Sequence, residues 1–259
     1  MELIFIGVGG TRKVIARQPA NIYSGGFRIH VDNLKFHIDP GPSAIIRSAQ
    51  IGIKVEDTDV VVVSHAHIDH YNDIGIIAEA MNGYGFKKEG ILICHKSCLS
   101  DNEKNTRAIS KYAESLFKQV YALQSGDEIN VEHIKSFDFK ATKVDHDQLL
   151  GGMGFLLKID GKKIGYTSDT GYFPGLFKQF DGCDALIANV VSIKKPKYNL
   201  HLFVDDLEML YEEIKPKKLF IYHIGEDIIN YGPKKLEKEL RERFYERIHI
   251  PLSGEIFEI

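Results

Sequence analysis

The fold of this chain is decided by one stretch of eleven residues, which reads Val60-Val61-Val62-Val63-Ser64-His65-Ala66-His67-Ile68-Asp69-His70. Its four valines are β-branched and predict a short strand that is buried on both faces. Three imidazoles and a carboxylate then follow within six residues, where the buried strand meets the surface. Functional groups are often placed at such strand ends, because the rigid strand positions the loop that carries them.

The spacing inside this cluster predicts metal binding. Side chains two residues apart on extended backbone point to the same side, so His65 and His67 can share one metal ion at about 2.0–2.1 Å. Once the loop turns, Asp69 and His70 can reach a second ion. A histidine-rich surface turn without metal is the alternative, and the buried strand that leads into the cluster disfavours it.

Four side chains do not complete two metal shells, so further ligands must come from distant parts of the chain. Three metal-capable residues stand one or two positions after the end of a predicted strand, and these are His146, Asp169 and His223. Each of them alone would more often be structural than a ligand. Together with the cluster, they predict a site built from the ends of several strands.

The order of the other elements indicates an α/β protein. A β-meander is followed by alternating strands and helices in each half of the chain, which suggests two sheets packed face to face with helices outside. No linker or low-complexity segment divides the sequence, so we expect residues 1–259 to form one domain. Predicted strands cover 3–8, 26–31, 34–38, 60–63, 91–93, 119–123, 129–134, 137–144, 155–159, 163–167, 185–191, 218–222, 248–250 and 255–259. One short helix is predicted to begin near residue 43. Three further predicted helices cover 73–81, 204–214 and 234–243.

Composition excludes several classes of protein. With 44% hydrophobic and 27% charged residues, the chain can bury a sizeable core and is neither disordered nor fibrous. The 33 basic and 36 acidic residues give a formal charge of −3, which provides no strong field for nucleic acid or membranes. We expect no membrane span and no N-terminal signal. Three cysteines are too few for a disulfide framework, which predicts reduced thiols in a cytoplasmic protein.

The full set of motifs resembles the metallo-β-lactamase superfamily of hydrolases. Its signature is His-x-His-x-Asp-His followed by a lone His, a lone Asp and a late His, and the match spans nearly the whole chain. The resemblance implies a four-layer αββα sandwich. It also implies that Asp39 supports the metal loop without binding metal. The implied ligands are His65, His67 and His146 for one ion, Asp69, His70 and His223 for the other, and Asp169 as the bridge.

These residues define the expected chemistry. Two divalent ions joined by a carboxylate lower the pKa of a shared water and polarise a carbonyl or phosphoryl oxygen, so the expected reaction is hydrolysis. A site of His and Asp without Cys favours two Zn²⁺ ions, and Mn²⁺ or Fe²⁺ would suit the same ligands. The iron flavoprotein branch of the superfamily has Glu where this chain has His67, which disfavours oxygen chemistry.

One further histidine indicates which bond is cut. His201 stands before a predicted helix and resembles the substrate-facing histidine of the phosphodiesterase branch, which includes transfer RNA 3′-processing endonucleases; a histidine without chemistry is the alternative. The candidate catalytic residues are therefore His201 and Asp69, which is also an implied ligand. The run Lys194 to Lys197 and the segment Thr11-Arg12-Lys13 are further candidate anion contacts, although such a lysine run is more often just a solvated loop.

The expected substrate is a small phosphodiester or cyclic phosphate. Only 22 residues (147–168) separate His146 from Asp169, too few for the long arm of the transfer RNA endonucleases, so RNA is a weaker candidate. A lactone, thioester or other carboxylic ester is the alternative substrate. A non-enzymatic metal-binding regulatory module is a third hypothesis, and it would be favoured by lost ligands, of which there are none. A homo-oligomer is compatible with the sequence.

Overall fold

The computed structural model describes residues 1–101, 107–195, 200–244 and 246–259. Its strands are, in chain order, β1 (Glu2–Phe5), β2 (Phe27–Val31), β3 (Leu34–Ile38), β4 (Val60–Val63), β5 (Glu89–His95), β6 (Phe117–Leu123), β7 (Glu128–Val131), β8 (Phe137–Thr142), β9 (Gly154–Ile159), β10 (Lys162–Tyr166), β11 (Ala185–Ser192), β12 (Leu202–Phe203), β13 (Lys218–Tyr222), β14 (Ile248–His249) and β15 (Ile256–Glu258). Its helices are α1 (Thr11–Arg17), α2 (Ala44–Gln50), α3 (Ile68–Tyr71), α4 (Ile74–Met81), α5 (Lys111–Leu116), α6 (Asp206–Glu213), α7 (Glu226–Tyr231) and α8 (Pro233–Phe244).

The strands form two sheets that pack face to face. One sheet has the order β15-β1-β2-β3-β4-β5-β6, and the other has the order β14-β13-β11-β10-β9-β8-β7, with β12 paired to β11. Aromatic rings from the two sheets meet between them, as Phe36 and Phe137 do with ring centroids 5.1 Å apart. Helices cover the outer faces. The α/β class and the αββα sandwich expected from the sequence are confirmed.

The valine run of β4 shows why its sequence is apolar throughout. Successive side chains of a strand point to opposite faces of the sheet. Val60 and Val62 belong to the core between the sheets. Val61 and Val63 instead pack in a second core with α4, which contributes residues such as Ile77. Both faces of β4 are therefore dry, and its carboxyl end holds the histidine cluster firmly.

Four short helices were not predicted from the sequence. These are α1, α5 and α7, which have six or seven residues each, and α3, which has four and replaces the expected loop. Only Val14 of α1 and Ile228 of α7 are buried, so neither helix has the repeated apolar positions by which an amphipathic helix is recognised. The strand β6 also differs from the prediction, because it pairs in parallel with β5 instead of joining the β-rich stretch that follows it.

The expectations about membrane spans and cysteines concern the helices and the thiols of the described residues. None of the helices in the described ranges is long and apolar enough to cross a membrane. Cys94, Cys98 and Cys183 are free and buried. Burial raises the pKa of Cys94 and of Cys183 to about 12, so both thiols are protonated at neutral pH.

The contact between the sheets gives a stability prediction. Replacing Phe137 by Ala should lower the free energy of unfolding by about 3–5 kcal/mol, because the truncation leaves a cavity opposite Phe36. Urea denaturation would measure the change. The matched control is Phe86→Ala, since Phe86 is 92% exposed and its loss should have little effect. Equal unfolding free energies in the two variants would contradict the assignment of Phe137 to the core.

Candidate metal centre

The residues predicted as ligands converge on one edge of the two sheets. His65 and His67 follow β4, and Asp69 and His70 lie on α3 directly after them. The other three residues each come shortly after the carboxyl end of a strand, β8, β10 or β13. Side chains capable of holding a metal form two groups there, and these are His65, His67, His146 and Asp169 in one and Asp69, His70 and His223 in the other.

The ring nitrogens of the first group lie close together. His67 Nδ1 is 2.9 Å from His65 Nε2 and 3.1 Å from His146 Nε2. Asp169 Oδ2 lies 3.8 Å from each of the same two Nε2 atoms. His65 and His146 are buried, whereas the His67 side chain is 28% exposed and borders the solvent.

The second group has the same tight spacing. His223 Nε2 lies 3.1 Å from His70 Nε2 and 3.3 Å from Asp69 Oδ2. The Asp169 carboxylate reaches this group also, with Oδ2 at 3.5 Å from His70 Nε2 and Oδ1 at 3.5 Å from His223 Nε2. Asp169 thus lies between the two groups, which is the position that a bridging ligand requires.

The spacing of these atoms fits divalent metal ions. Ligands at 2.0–2.1 Å from a tetrahedral zinc ion are separated from one another by about 3.3 Å. The distances above, from 2.9 to 3.8 Å, bracket this value. Imidazole and carboxylate suit Zn²⁺, Mn²⁺ and Fe²⁺. The residues present can therefore hold metal without a large rearrangement.

Electrostatic effects inside the cluster also favour a bound cation. Burial opposes ionisation of Asp169, but the neighbouring His223 and His70 outweigh it and hold the pKa of that carboxyl well below its usual value. Burial alone would lower the pKa of His70, but Asp169 and the other nearby carboxylates raise it well above its usual value. In contrast, burial lowers the pKa of His65, which favours the neutral imidazole that binds metal. Buried carboxylates need a compensating positive charge, which the His70 imidazolium can supply and which a bound metal ion would supply in its place.

Asp39 connects several elements of the site through hydrogen bonds. Its Oδ1 accepts a hydrogen bond from the Ser64 backbone N–H at 2.7 Å, and its Oδ2 accepts one from the Ser64 hydroxyl at 2.7 Å. The same Oδ2 faces His70 Nδ1 and the Tyr166 hydroxyl, each at 2.8 Å. Orienting bonds of this kind fix which ring nitrogen of a histidine faces a metal. The two bonds to Ser64 place Asp39 behind the loop that carries the histidine cluster.

Asn189 is a residue of the site that the sequence analysis missed. Its side-chain amide donates to Asp169 Oδ1 at 2.7 Å and to the Tyr166 hydroxyl at 3.1 Å. Asn189 is fully buried on β11, in the otherwise apolar run Ala185-Leu186-Ile187-Ala188-Asn189-Val190-Val191. A lone amide in such a run needs a buried partner, and that signal could have identified it.

Several residues around the site adopt the left-handed backbone conformation. Asp39, Ser168 and His223 have φ values of 48°, 55° and 58°, and each lies directly after a strand or within two residues of its end. Such conformations are unfavourable for residues other than glycine and are retained when the surrounding structure imposes them. Gly41 must remain glycine for a related reason, because a Cβ there would lie 1.9 Å from the Asp69 carbonyl oxygen.

His201 lies beside the metal-binding groups. Its Nδ1 is 3.7 Å from Asp169 Oδ2, and its ring faces those of His146 and His223 with centroids 4.9 and 6.0 Å away. Burial lowers the pKa of His201 to about 4, although Asp169 opposes the change. With Asp169 and His223 it forms a further group that could hold a metal. It does not directly precede a helix, because the short strand β12 lies between His201 and α6.

A cavity of about 760 Å³ opens onto these side chains. Its lining combines the metal-binding residues with His201, with Arg12 and with apolar side chains such as Ile68 and Leu200. The run from residue 194 to 197 was a candidate anion contact. Its first two residues, Lys194 and Lys195, are exposed and do not line the cavity. The other two lie outside the described residues. The cavity is large enough for a small organic substrate.

Comparison with known proteins agrees with this geometry. Residues 35–224 match the family described as the β-lactamase superfamily domain, and this span contains every residue of the two groups. The chain belongs to the metallo-β-lactamase superfamily. Membership of this superfamily indicates a hydrolase fold. The geometry places the candidate metal-binding residues at the edge of its two sheets.

Individual proteins are similar to this chain over most or all of its length. The chain is 36% identical over 232 residues to the uncharacterized protein MJ1374 of Methanocaldococcus jannaschii, covering 89% of this chain and 85% of that protein. Among solved structures, the metallo-β-lactamase fold protein YhfI from Bacillus subtilis superposes with a TM-score of 0.78 at 18% identity, covering 100% of this chain and 98% of YhfI. The short form of human tRNase Z superposes with a TM-score of 0.71 at 14% identity, covering 100% and 99%.

The position of Asp169 gives a prediction on metal content. The wild-type protein should carry about two divalent ions per chain, by the pattern of two-metal sites. Asp169→Asn should lose much of this metal, because the amide removes the negative charge that both groups share. Elemental analysis of purified protein would measure it, with Asp138→Asn on the exposed face of β8 as the control. Full occupancy in Asp169→Asn would show that Asp169 is not the bridge.

Proposed function

We propose that this superfamily member is a phosphodiesterase that binds two Zn²⁺ ions and cleaves a small phosphodiester or cyclic phosphate. The single observation that carries the proposal is the position of His201, which lies 3.7 Å from Asp169 at the cavity that opens onto the metal-binding groups. We assign His65, His67 and His146 to one ion, Asp69, His70 and His223 to the other, and Asp169 to both. When bound, the ions supply Lewis acidity and lower the pKa of a coordinated water.

The roles of the protein's own side chains follow from their contacts. Asp39 and Asn189 hold His70 and Asp169 in place through hydrogen bonds of 2.7–2.8 Å. Leu200 contributes its carbonyl oxygen, which accepts from His146 Nδ1 at 2.8 Å and leaves Nε2 of that ring facing the group. Asp69, on the open side of its group, can orient a nucleophilic water as well as bind metal.

His201 is the residue that would act on the substrate directly. Its Nδ1 is buried and has no hydrogen-bond partner within the described part of the chain. An imidazole N–H in this position can donate to a nonbridging phosphate oxygen or to the oxygen of the leaving group. Cleavage of a phosphodiester requires a donor at one of these oxygens, because negative charge develops on them as the ester bond breaks.

A small substrate suits the surroundings of the site. Human tRNase Z, which shares the fold, is by its name a nuclease of transfer RNA. In this chain the 22 residues between His146 and Asp169 form a loop and the β9–β10 hairpin, which pairs within its own sheet. This segment therefore has no residues left for an arm that could reach a large RNA. We propose a small phosphodiester in its place.

A carboxylic ester is the second candidate substrate, and one observation favours it. The cavity is lined partly by apolar side chains, of which Ile68 and Leu200 are 56% and 40% exposed. Such a surface would suit the acyl group of a lactone or thioester.

Substrate preference separates the two candidates. We expect the metal-loaded protein to hydrolyse bis(p-nitrophenyl) phosphate with a higher kcat/KM than a chromogenic β-lactam or a glutathione thioester. A steady-state comparison on one enzyme preparation, with the metal content measured, would check this. Protein treated with a chelator serves as the blank. A reversed order of preference would favour the carboxylic ester and reject the phosphodiesterase.

Two histidine variants test the role of His201. His201→Ala should lower turnover of the phosphodiester by about 10²- to 10⁴-fold, the usual contribution of a positioned acid–base group, while metal content and folding remain normal. His223→Ala should lose metal as well as activity. His133→Ala, at an exposed histidine, is the control. Near-normal turnover in His201→Ala would make this residue structural, and loss of metal would make it a ligand.

A further inference from the structure

We propose that Arg12 binds an anionic oxygen of the substrate's phosphate and thereby makes the site selective for anionic esters over neutral ones. The inference deepens the proposed phosphodiesterase function and rests on it. It starts from a juxtaposition: Arg12, near the start of α1, lines the same cavity as His201 and the two metal-binding groups.

Arg12 is distinguished from its basic neighbours by having no acidic partner. Lys13 and Arg17 lie four residues apart and so share one face of α1, where both form ion pairs with Glu226 at the start of α7. Arg12 is turned by about 100° from Lys13 around the helix axis. No hydrogen bond or ion pair of its side chain occurs among the residues that the structure describes. Its guanidinium is therefore available to a ligand.

The segment that carries Arg12 is fixed against a metal-binding strand end. The Ile224 backbone N–H donates to the Val8 carbonyl at 2.9 Å, and the Gly10 N–H donates to the Ile224 carbonyl at 3.1 Å. Gly10 also packs so closely on His223 that a Cβ at this position would lie 2.0 Å from Nδ1 of its ring. The distance from α1 to the metal site is thus set by backbone contacts and not by a mobile loop.

The residue between Gly10 and Arg12 has an unusual backbone conformation. Thr11 also lines the cavity and has a φ of 71°, a conformation that is unusual for a β-branched residue. Local strain of this kind persists where the surrounding structure holds the chain, and it is common at ligand-binding sites. At Thr11 it turns the chain out of the glycine segment and into α1 at the edge of the cavity.

The charges of the cavity give Arg12 a specific role. The other ionisable side chains of the lining are imidazoles, the phenol of Tyr71 and the carboxylates Asp69, Asp147 and Asp169, so Arg12 is the one permanently charged cation among the described residues that border the cavity. Asp69 and Asp169 face the histidines, and Asp147 Oδ1 accepts hydrogen bonds from the backbone of the loop that follows it. A planar guanidinium matches the oxygens of a phosphate and has no comparable partner in a neutral ester.

The test compares an anionic and a neutral substrate with the same leaving group. Arg12→Ala should raise KM for bis(p-nitrophenyl) phosphate by about 10- to 100-fold, the effect of losing one charge-assisted hydrogen-bonded pair, with kcat changed much less. KM for p-nitrophenyl acetate should stay the same. Arg12→Lys should recover part of the loss, because it restores the charge without the planar fork. Lys13→Ala is the matched control, since Lys13 is on the same helix and is paired to Glu226.

A binding measurement provides a readout that does not depend on turnover. Calorimetry should show that inorganic phosphate binds the metal-loaded wild-type protein about 10- to 100-fold more tightly than it binds Arg12→Ala. Metal content and thermal unfolding of the variant, measured on the same samples, should match the wild type. If the variant loses metal or stability, Arg12 is structural and the inference is wrong.

The outcomes also separate this inference from the proposed function. Hydrolysis of the diester with the same KM in Arg12→Ala and wild type, or equal phosphate affinities, would overturn the role of Arg12 and leave the phosphodiesterase intact. Hydrolysis of p-nitrophenyl acetate alone, combined with tight phosphate binding that depends on Arg12, would reject the phosphodiesterase and keep an anion site at Arg12.

Discussion

The buried carboxylate of Asp39 is the constraint on which the rest of the site depends. It lies at the end of β3 and accepts hydrogen bonds from groups that follow β4, from Tyr166 on β10 and from α3, so it connects the two sheets beneath the metal-binding residues. A buried carboxylate is stable only when donors surround it. The requirement to satisfy this one group therefore fixes the relative positions of the cluster loop, of His70 and of the strand that leads to Asp169.

The two sheets make this arrangement rigid. Because β4 is dry on both faces, and because β10 and β13 both pair in parallel with β11, the strand ends cannot shift independently. The same rigidity supports the left-handed backbone at Asp39, Ser168 and His223, which an isolated loop would relax. At Asp39 and His223 this backbone conformation accompanies the close contacts that both side chains make with His70.

Local chemistry could be predicted from the sequence, and geometry between distant segments could not. The spacing of its residues identifies the cluster from His65 to His70 as a candidate metal site. Position after predicted strands identifies the further candidates His146, Asp169 and His223. The helix α1 has a single buried residue, and β12 has only two residues, so no periodic pattern shows that these elements border the site. Asn189 is a lone amide in an apolar run, which signals a buried partner, but the sequence does not show that this partner is Asp169, 20 residues away.

Position in the fold separates the candidate metal-binding residues from Arg12 and His201, which the sequence named as candidate contacts of the substrate. The candidate ligands follow the ends of core strands, where the surrounding structure can fix their positions to within a few tenths of an ångström. Arg12 lines the cavity from the short helix α1, and its exposed side chain can meet a ligand without losing its solvation beforehand. His201 lines it from the loop before β12, with its Nδ1 already buried. The division follows from the energetics of burial: a permanent cation such as Arg12 could not be placed among the buried histidines without a partner. In the proposed function, substrate selection therefore belongs to exposed side chains of the cavity such as Arg12, and bond cleavage to the buried residues at the strand ends.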